Sequence, residues 1–186
     1  NVCLFGLSYI HNFLPGYSEC DLKEIALGFL SHDIGELVVS KDLLNQRSTL
    51  NPLERKIIQQ IPLHGVNVLK EAGCDYPLAV DIVMNHHERV DGQGYPRGLF
   101  QHRIPLIAQV CAICESFDTM TTPQPYRHGT HTAFEALNHM SRDRPGQFDL
   151  HVLANFIRMM GGNQRPETNG TPANGSGVSP VIIASR

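Results

Sequence analysis

Between Val2 and Met160, apolar residues recur three or four positions apart, which is the spacing of one face of an α-helix. Segments with this pattern start at Pro52, Pro77 and Pro105, and proline is well tolerated in the first turn of a helix. We find no convincing segment that alternates apolar and polar residues as a half-buried β-strand would. The sequence therefore predicts an all-α fold, a bundle of helices around a shared core.

Helix boundaries are predicted from residues that start or stop a helix. The first helix is predicted over residues 2–14. The second is capped by Asp21 and ends through Gly35, and the third starts at Pro52 and is bent by Pro62. The four remaining helices are predicted to start at Pro77, Pro105, Thr132 and Asp149, the last two ending near Met140 and Met160.

The composition changes after Gly161. Residues 162–186 are rich in Gly, Asn, Thr and Pro, and their one apolar patch, residues 181–183, is too short to fold alone. We therefore predict a helical domain over residues 1–161 and a flexible polar tail over residues 162–186. Because the chain begins with Asn1 rather than Met, the first helix is expected to be incomplete.

Bulk composition narrows the class of protein. The chain has 186 residues and a formal net charge of −3, which argues against a DNA-binding surface. It contains no apolar run long enough to cross a bilayer and no signal-peptide pattern, so no membrane contact is expected. Its five cysteines are an odd, scattered set, which favours a reducing cytoplasm over a secreted disulfide framework. Its ten histidines prompt a search for metal ligands.

Candidate metal ligands fall into four short clusters, most of them near the ends of predicted helices. They are His32 with Asp33, His64, His86 with His87, and Glu115 with Asp118. Imidazole and carboxylate without thiolate favour iron, manganese or zinc over a structural zinc finger. Neighbours on a helix point about 100° apart, so the histidine pair cannot easily share one ion. At least two ions bridged by Asp33 are expected, an arrangement suited to phosphoester hydrolysis.

The clusters lie in four longer motifs. Residues 31–36 read SHDIGE, 62–65 read PLHG, 86–96 read HHERVDGQGYP and 114–127 read CESFDTMTTPQPYR. In order and rough spacing these motifs resemble those of the HD-GYP family across residues 1–160, and the HHERVDGQGYP string is the most specific of them. The resemblance implies an HD-superfamily helical bundle and a metal-dependent phosphodiesterase that converts cyclic di-GMP to the linear dinucleotide or GMP.

The resemblance also implies roles for individual residues. His32 and Asp33 would be catalytic and would bind metal. The other implied metal ligands are His64, His86, His87 and Glu115. Glu115 stands where the family has aspartate, so it keeps the carboxylate and adds one methylene. The implied cofactors are two or more divalent transition-metal ions, with iron or manganese favoured.

Other residues are placed by the resemblance around the substrate. The loop of Gly94, Tyr95 and Pro96 would lie beside cyclic di-GMP, and Arg127 is suited to bidentate hydrogen bonding with a phosphate. Glu36 and Asp118 would contact and orient the metal ligands without binding the metal themselves, although Asp118 could instead cap a helix.

The chain departs from the family pattern at several positions. Glu36 replaces the lysine of HDIGK, and Gln124 stands where arginine is common. The family has a further histidine about thirty residues before the HD pair, which would fall at or before Asn1. These departures keep open a degenerate HD-GYP domain that binds nucleotide or a partner without catalysis.

Two further alternatives stay open. One is an HD phosphohydrolase acting on another nucleotide. The other is an interaction domain that contacts a GGDEF-type diguanylate cyclase through the loop around Tyr95. By resemblance, an upstream sensory or receiver domain is also expected.

Cys111 and Cys114 form a C-x-x-C pair that invites a redox or zinc interpretation. Both lie on one face of a predicted helix, and no second such pair exists. Small core side chains are the favoured interpretation.

Overall fold

The computed structural model describes residues 1–46, 48–123, 129–143 and 146–161 of the chain. These residues form helices joined by turns, and the one β-bridge among them pairs Asp91 with Phe100. The helices are α1 (Val2–Phe13), α2 (Glu19–Ser31), α3 (Lys41–Leu44), α4 (Pro52–Ile58), α5 (Ile61–Glu71), α6 (Pro77–Asn85), α7 (Leu106–Thr121), α8 (Ala133–Asn138) and α9 (Leu150–Met160). The prediction of an all-α bundle is confirmed.

The core forms where α1, α2, α7 and α9 meet. Phe29 of α2 and Phe156 of α9 are fully buried there, and Phe5 of α1 contacts Phe117 of α7 edge to face at 5.6 Å between ring centroids. Cys111 and Cys114 are buried free thiols in this core, which confirms their interpretation as small core side chains.

A second layer positions the candidate ligands. Helix α6 packs against α2, α5 and α7, and a 3₁₀ turn over Ile34–Val38 packs against α5. Because α2 and α6 lie side by side, the residues that follow their C-terminal ends meet in space. No helix within the described ranges is both long and apolar enough to cross a membrane.

Three boundary predictions are wrong. The N-cap of α2 is Ser18, and Asp21 sits at the third helical position of a capping box with it. The predicted bent helix is two helices, α4 and α5, separated at Gln59 and Gln60, so Pro62 opens α5 instead of bending a longer helix. Gly35 does not end α2, which stops at Ser31.

Several predicted helix starts are confirmed, and one short helix was not predicted. Pro52 and Pro77 begin their helices, and Thr132 and Asp149 cap theirs. Pro105 is the N-cap of α7. The short helix α3 was not predicted, because its four residues are too few for a periodic pattern. The predicted tail, residues 162–186, lies outside the described residues and stays a prediction.

Gly35 is required by close backbone packing. A β-carbon there would overlap the carbonyl oxygen of Ile61 and would lie 2.7 Å from the amide nitrogen of Gly65. These are backbone atoms, which cannot turn aside as a flexible side chain can. The glycine therefore lets the turn that follows the HD pair lie directly on α5.

We predict that Gly35→Ala destabilises the chain by about 2 kcal/mol, the typical cost of overpacking a tight contact. Thermal unfolding followed by circular dichroism measures the change. Gly161→Ala is the matched control, because an added β-carbon there makes only ordinary contacts. Equal unfolding midpoints for the two variants would contradict the packing argument.

Candidate metal centre

The HD pair follows directly after α2. His32 is the C-cap residue of that helix, and its Nδ1 lies 2.9 Å from the carbonyl oxygen of Phe29. The last carbonyls of a helix lack intrahelical partners, so the ring N–H can donate there. This contact turns Nε2 of His32 toward Asp33, whose Oδ2 lies 3.1 Å away.

The histidine pair follows α6 in the same manner. Nδ1 of the buried His86 lies 3.0 Å from the carbonyl oxygen of Val83, which leaves Nε2 for the interior of the site. That Nε2 lies 3.4 Å from Oδ1 of Asp33 and has no hydrogen-bond partner. Nε2 of His87 lies 3.9 Å from the same Oδ1. Two helix ends thus bring three predicted ligands around one carboxylate.

Glu115 approaches from α7. Its Oε2 is buried without a hydrogen-bond partner and lies 3.8 Å from Nδ1 of His87. A buried polar atom left unpaired costs free energy, so an unpartnered acceptor beside imidazoles points to a bound cation. The longer side chain of glutamate therefore still brings a carboxylate to the cluster.

The donor set fits a divalent metal ion. Asp33, His86 and His87 each offer one ligand atom, and these atoms all lie within 4.8 Å of one another. The expectation that the histidine pair cannot easily share one ion is therefore wrong. Helix α6 ends at Asn85, so both histidines lie in the turn that follows it and the offset of about 100° between helix neighbours does not apply. Imidazole nitrogen and carboxylate oxygen suit iron, manganese and zinc. The unpartnered atoms of His86 and Glu115 support the same conclusion.

The electrostatics of the cluster also favour a cation. Burial would raise the pKa of Asp33, but the contacts and charges of His32 and His86 outweigh it and hold that pKa well below its usual range. Burial, together with the charge of His86, lowers the pKa of His87 well below its usual value. An ionised carboxylate beside a neutral imidazole is the protonation state that metal ligation needs.

The pKa values of two further groups in the cluster are raised. Burial would lower the pKa of His32, but the hydrogen bond and charge of Asp33 and the charge of Glu115 more than offset it and raise that pKa. Burial raises the pKa of Glu115, and the charge of Asp33 adds to the effect. Carboxylates gathered this closely repel one another, and a bound cation would relieve that repulsion.

The loop over residues 88–99 covers the site. The ring of Tyr95 lies against that of His87 with centroids 4.6 Å apart, and its amide donates to the carbonyl oxygen of His87. Gly94 makes this possible, because a β-carbon there would overlap the amide nitrogen of Arg89. Burial raises the pKa of Tyr95, so its hydroxyl stays protonated as a hydrogen-bond donor. Pro96 follows Tyr95 through a cis peptide bond.

Glu88 holds this loop in place, a role that the sequence reasoning missed. Its carboxylate is buried and accepts 2.8 Å hydrogen bonds from the amides of Arg97 and Leu99. A charged residue with apolar surroundings is seldom buried unless its oxygens are paired in this way. The only sequence signal was its position inside the HHERVDGQGYP string, which does not say which backbone amides it meets.

A cavity of about 270 Å³ opens onto the cluster. Its lining includes Asp33, Glu36, His87, Tyr95 and Glu115, together with apolar residues of α3, α4 and α5. Partial burial and the nearby charge of Asp33 raise the pKa of Glu36. Tyr95, Glu36 and three of the candidate ligands, Asp33, His87 and Glu115, therefore line the same cavity.

The remaining predicted site residues are placed differently. His64 is half-buried in the first turn of α5 and is not part of the group formed by Asp33, His86 and His87. Asp118 lies inside α7 and accepts hydrogen bonds from the side chains of Asn1 and Thr122, and its role behind the ligands stays a prediction. Arg127 and Gln124 lie outside the described residues.

Comparison with known proteins places this site in a family. The HD domain profile matches residues 16–152, so the chain belongs to the HD-domain family, whose members bind divalent metal ions. A cyclic di-GMP phosphodiesterase of Pseudomonas aeruginosa is 36% identical over 140 residues, which cover 75% of this chain and 33% of that protein. A 3'3'-cGAMP-specific phosphodiesterase of Vibrio cholerae is 33% identical, over 73% of this chain and 31% of that protein. The chain thus spans about a third of the length of these relatives.

Structural comparison agrees on the fold. An HDG"Y"P protein from Bdellovibrio bacteriovorus superposes with a TM-score of 0.68 at 18% identity, covering 87% of this chain and 50% of the other. This likeness shows the fold. The HD domain match and the relatives named as cyclic di-GMP phosphodiesterases confirm the recognition of HD-GYP motifs in the sequence.

Proposed function

We propose that this chain is a metal-dependent phosphodiesterase that hydrolyses cyclic di-GMP to the linear dinucleotide or GMP. The observation that carries the proposal is the cluster of Asp33, His86 and His87, in which a buried imidazole nitrogen has no hydrogen-bond partner. The cavity that opens onto this cluster is large enough to admit a phosphodiester group. The activities named for the Pseudomonas and Vibrio relatives support the reaction class.

The proposed cofactors are two or more divalent ions, iron or manganese. Asp33, His86 and His87 would hold one ion, and the other proposed ligands are His32, His64 and Glu115. Bound there, such ions would supply an activated water at neutral pH and would neutralise charge on the phosphoryl oxygens. No side-chain nucleophile is required.

The chain's own residues would position the substrate. The ring of Tyr95 covers His87 and keeps bulk water from that side of the cluster, while its protonated hydroxyl can donate to a phosphoryl oxygen. Gly94 and Pro96 shape this loop, and Arg127 would hold a phosphate through paired hydrogen bonds. Glu36 lines the same cavity beside Asp33.

The proposed setting is the cytoplasm, where cyclic di-GMP acts. Regulation by an upstream sensory or receiver domain is also part of the proposal and rests on family resemblance. Contact with a diguanylate cyclase through the loop around Tyr95 is a further proposal that rests on family resemblance.

Turnover assays test the proposal. The full chain, loaded with manganese or iron, is incubated with cyclic di-GMP and separately with 3'3'-cGAMP, and the products are separated by chromatography. We expect linear dinucleotide from cyclic di-GMP and its loss after chelation of the metal. Binding without product would instead support the degenerate domain, and hydrolysis of the hybrid dinucleotide alone would refute the proposed substrate.

Glu36 is expected to weaken substrate binding, because it places an anion in a cavity that must accept phosphates. We predict that Glu36→Lys lowers KM for cyclic di-GMP about fivefold with little change in kcat, since it exchanges a repulsive charge for an attractive one at a partly exposed position. Steady-state kinetics at low and high salt measure the effect, which should shrink as salt screens it. Glu71→Lys, an exposed change at the end of α5, is the control.

A further inference from the structure

A second cavity adjoins the cavity of about 270 Å³ that opens onto the cluster, which we call the metal-side cavity. It has a volume of about 490 Å³, and we call it the Lys41 groove. Its lining residues are Leu30, Ser31, Asp33, Ile34, Glu36, Leu37, Val39, Lys41 and Leu44. Most of them are apolar, and one is a cation.

The Lys41 groove lies next to the metal-side cavity and shares part of its lining. Asp33, Glu36 and Leu44 line both spaces, so they form the boundary between them. A ligand whose phosphate lies at Asp33 can therefore extend past Glu36 into the groove. Its path would run along the 3₁₀ turn over Ile34–Val38 to the start of α3.

The chemistry of the Lys41 groove matches half of a cyclic dinucleotide. Leu37 is 80% exposed and Leu30 is 73% exposed, and such large apolar side chains beside a polar site offer surface for the face of a nucleobase. A cyclic dinucleotide carries a second phosphodiester, which needs a positive partner when the first lies at the metal ligands. Among the residues lining the groove, Lys41 alone carries a positive charge.

Lys41 is available for this role. It is the first residue of α3, its side chain is exposed, and it forms no ion pair within the described part of the chain. Glu36 in the same groove would repel a phosphate, and the ammonium group of Lys41, which also lines the groove, offsets that repulsion.

We propose that the Lys41 groove is the subsite for the second nucleotide of the substrate, with Lys41 binding the phosphate that is not cleaved. The apolar walls formed by Leu30 and Leu37 contact the base. This inference rests on the proposed function, whose substrate it places across two cavities.

Equilibrium binding tests the subsite without turnover. The probe is a phosphorothioate analogue of cyclic di-GMP that resists hydrolysis, titrated into the manganese-loaded full chain by calorimetry. Lys41→Met should raise Kd about tenfold, the effect of losing one charge-assisted hydrogen bond. Lys41→Arg should stay near wild type, and the exposed Lys70→Met should change Kd less than twofold.

Kinetics give an independent readout with cyclic di-GMP itself. Lys41→Met should raise KM by a similar factor and leave kcat within about threefold, because the lost contact is made equally in ground and transition states. Added salt should weaken substrate binding by Lys41→Met less than it weakens binding by wild type, since the variant lacks one phosphate contact.

The outcomes separate the subsite from the reaction. Unchanged Kd and KM in Lys41→Met, with hydrolysis intact, would overturn the subsite alone. Tighter binding by wild type than by Lys41→Met, with no linear product, would support the subsite and refute the enzyme. Failure of wild type to bind the analogue, or a groove that instead joins two copies of the chain in sedimentation experiments, would overturn the subsite.

Discussion

Replacing Asp33 with asparagine should lower kcat for cyclic di-GMP on the order of a thousandfold, because stabilisation worth several kcal/mol depends on the metal ions that this carboxylate is proposed to hold. Asp33 is the residue on which the other candidate ligands converge: His32 at 3.1 Å, His86 at 3.4 Å and His87 at 3.9 Å. Asparagine keeps the shape of the side chain but removes the negative charge and one oxygen ligand. Product chromatography measures kcat, and elemental analysis of the dialysed protein measures retained metal.

Asp42→Asn is the matched control for this experiment. Asp42 lies in α3, is exposed and is not part of the group formed by Asp33, His86 and His87, so its variant should retain both metal and activity. Asp33→Asn should also lose metal in proportion to activity, whereas a purely structural role would lower the unfolding temperature with the metal content per folded chain unchanged. Full turnover by Asp33→Asn would refute the proposed ligand set.

The convergence of Asp33, His86 and His87 was predictable from sequence, for a physical reason. Each doublet follows an apolar helical stripe, and stripes of this kind pack against one another in a bundle. Residues at the ends of adjacent helices then meet, as the contact between α2 and α6 shows. Motif spacing added Glu115, which lies on the face of α7 that points at His87.

The position of His64 could not be predicted in the same way. It depends on how α5 is placed after the break at Gln59 and Gln60. Pro62 accounts for a break or a bend, but the packing of α5 against the 3₁₀ turn cannot be read from it. Gly35 permits that packing, yet in the sequence it is a glycine with an ordinary helix-stop interpretation. Local sequence patterns therefore predict which face of a helix is buried, but they do not predict backbone contacts between segments that are distant in the sequence.

The second large effect is expected at Glu88, which ties both ends of the loop over the site. Glu88→Ala should destabilise the chain by about 3 kcal/mol, because the amides of Arg97 and Leu99 lose their acceptor inside the protein. For a chain of this size the unfolding temperature should fall by roughly 10 °C. The loop that carries Tyr95 would also lose its anchor, so KM should rise even at temperatures where the variant is folded.

Two variants separate the loss of the anchor from the loss of a charge. Glu88→Gln keeps a carbonyl acceptor of the same length, so it should recover part of the stability and part of the affinity. Glu71→Ala removes an exposed glutamate at the end of α5 and should change neither the stability of the chain nor its affinity for substrate. The unfolding temperature of each protein is measured by calorimetry with and without manganese. Manganese should raise the unfolding temperature of wild type more than that of Glu88→Ala, because the loop packs on His87. Equal unfolding temperatures for Glu88→Ala and Glu71→Ala would mean that the buried carboxylate does not hold the loop.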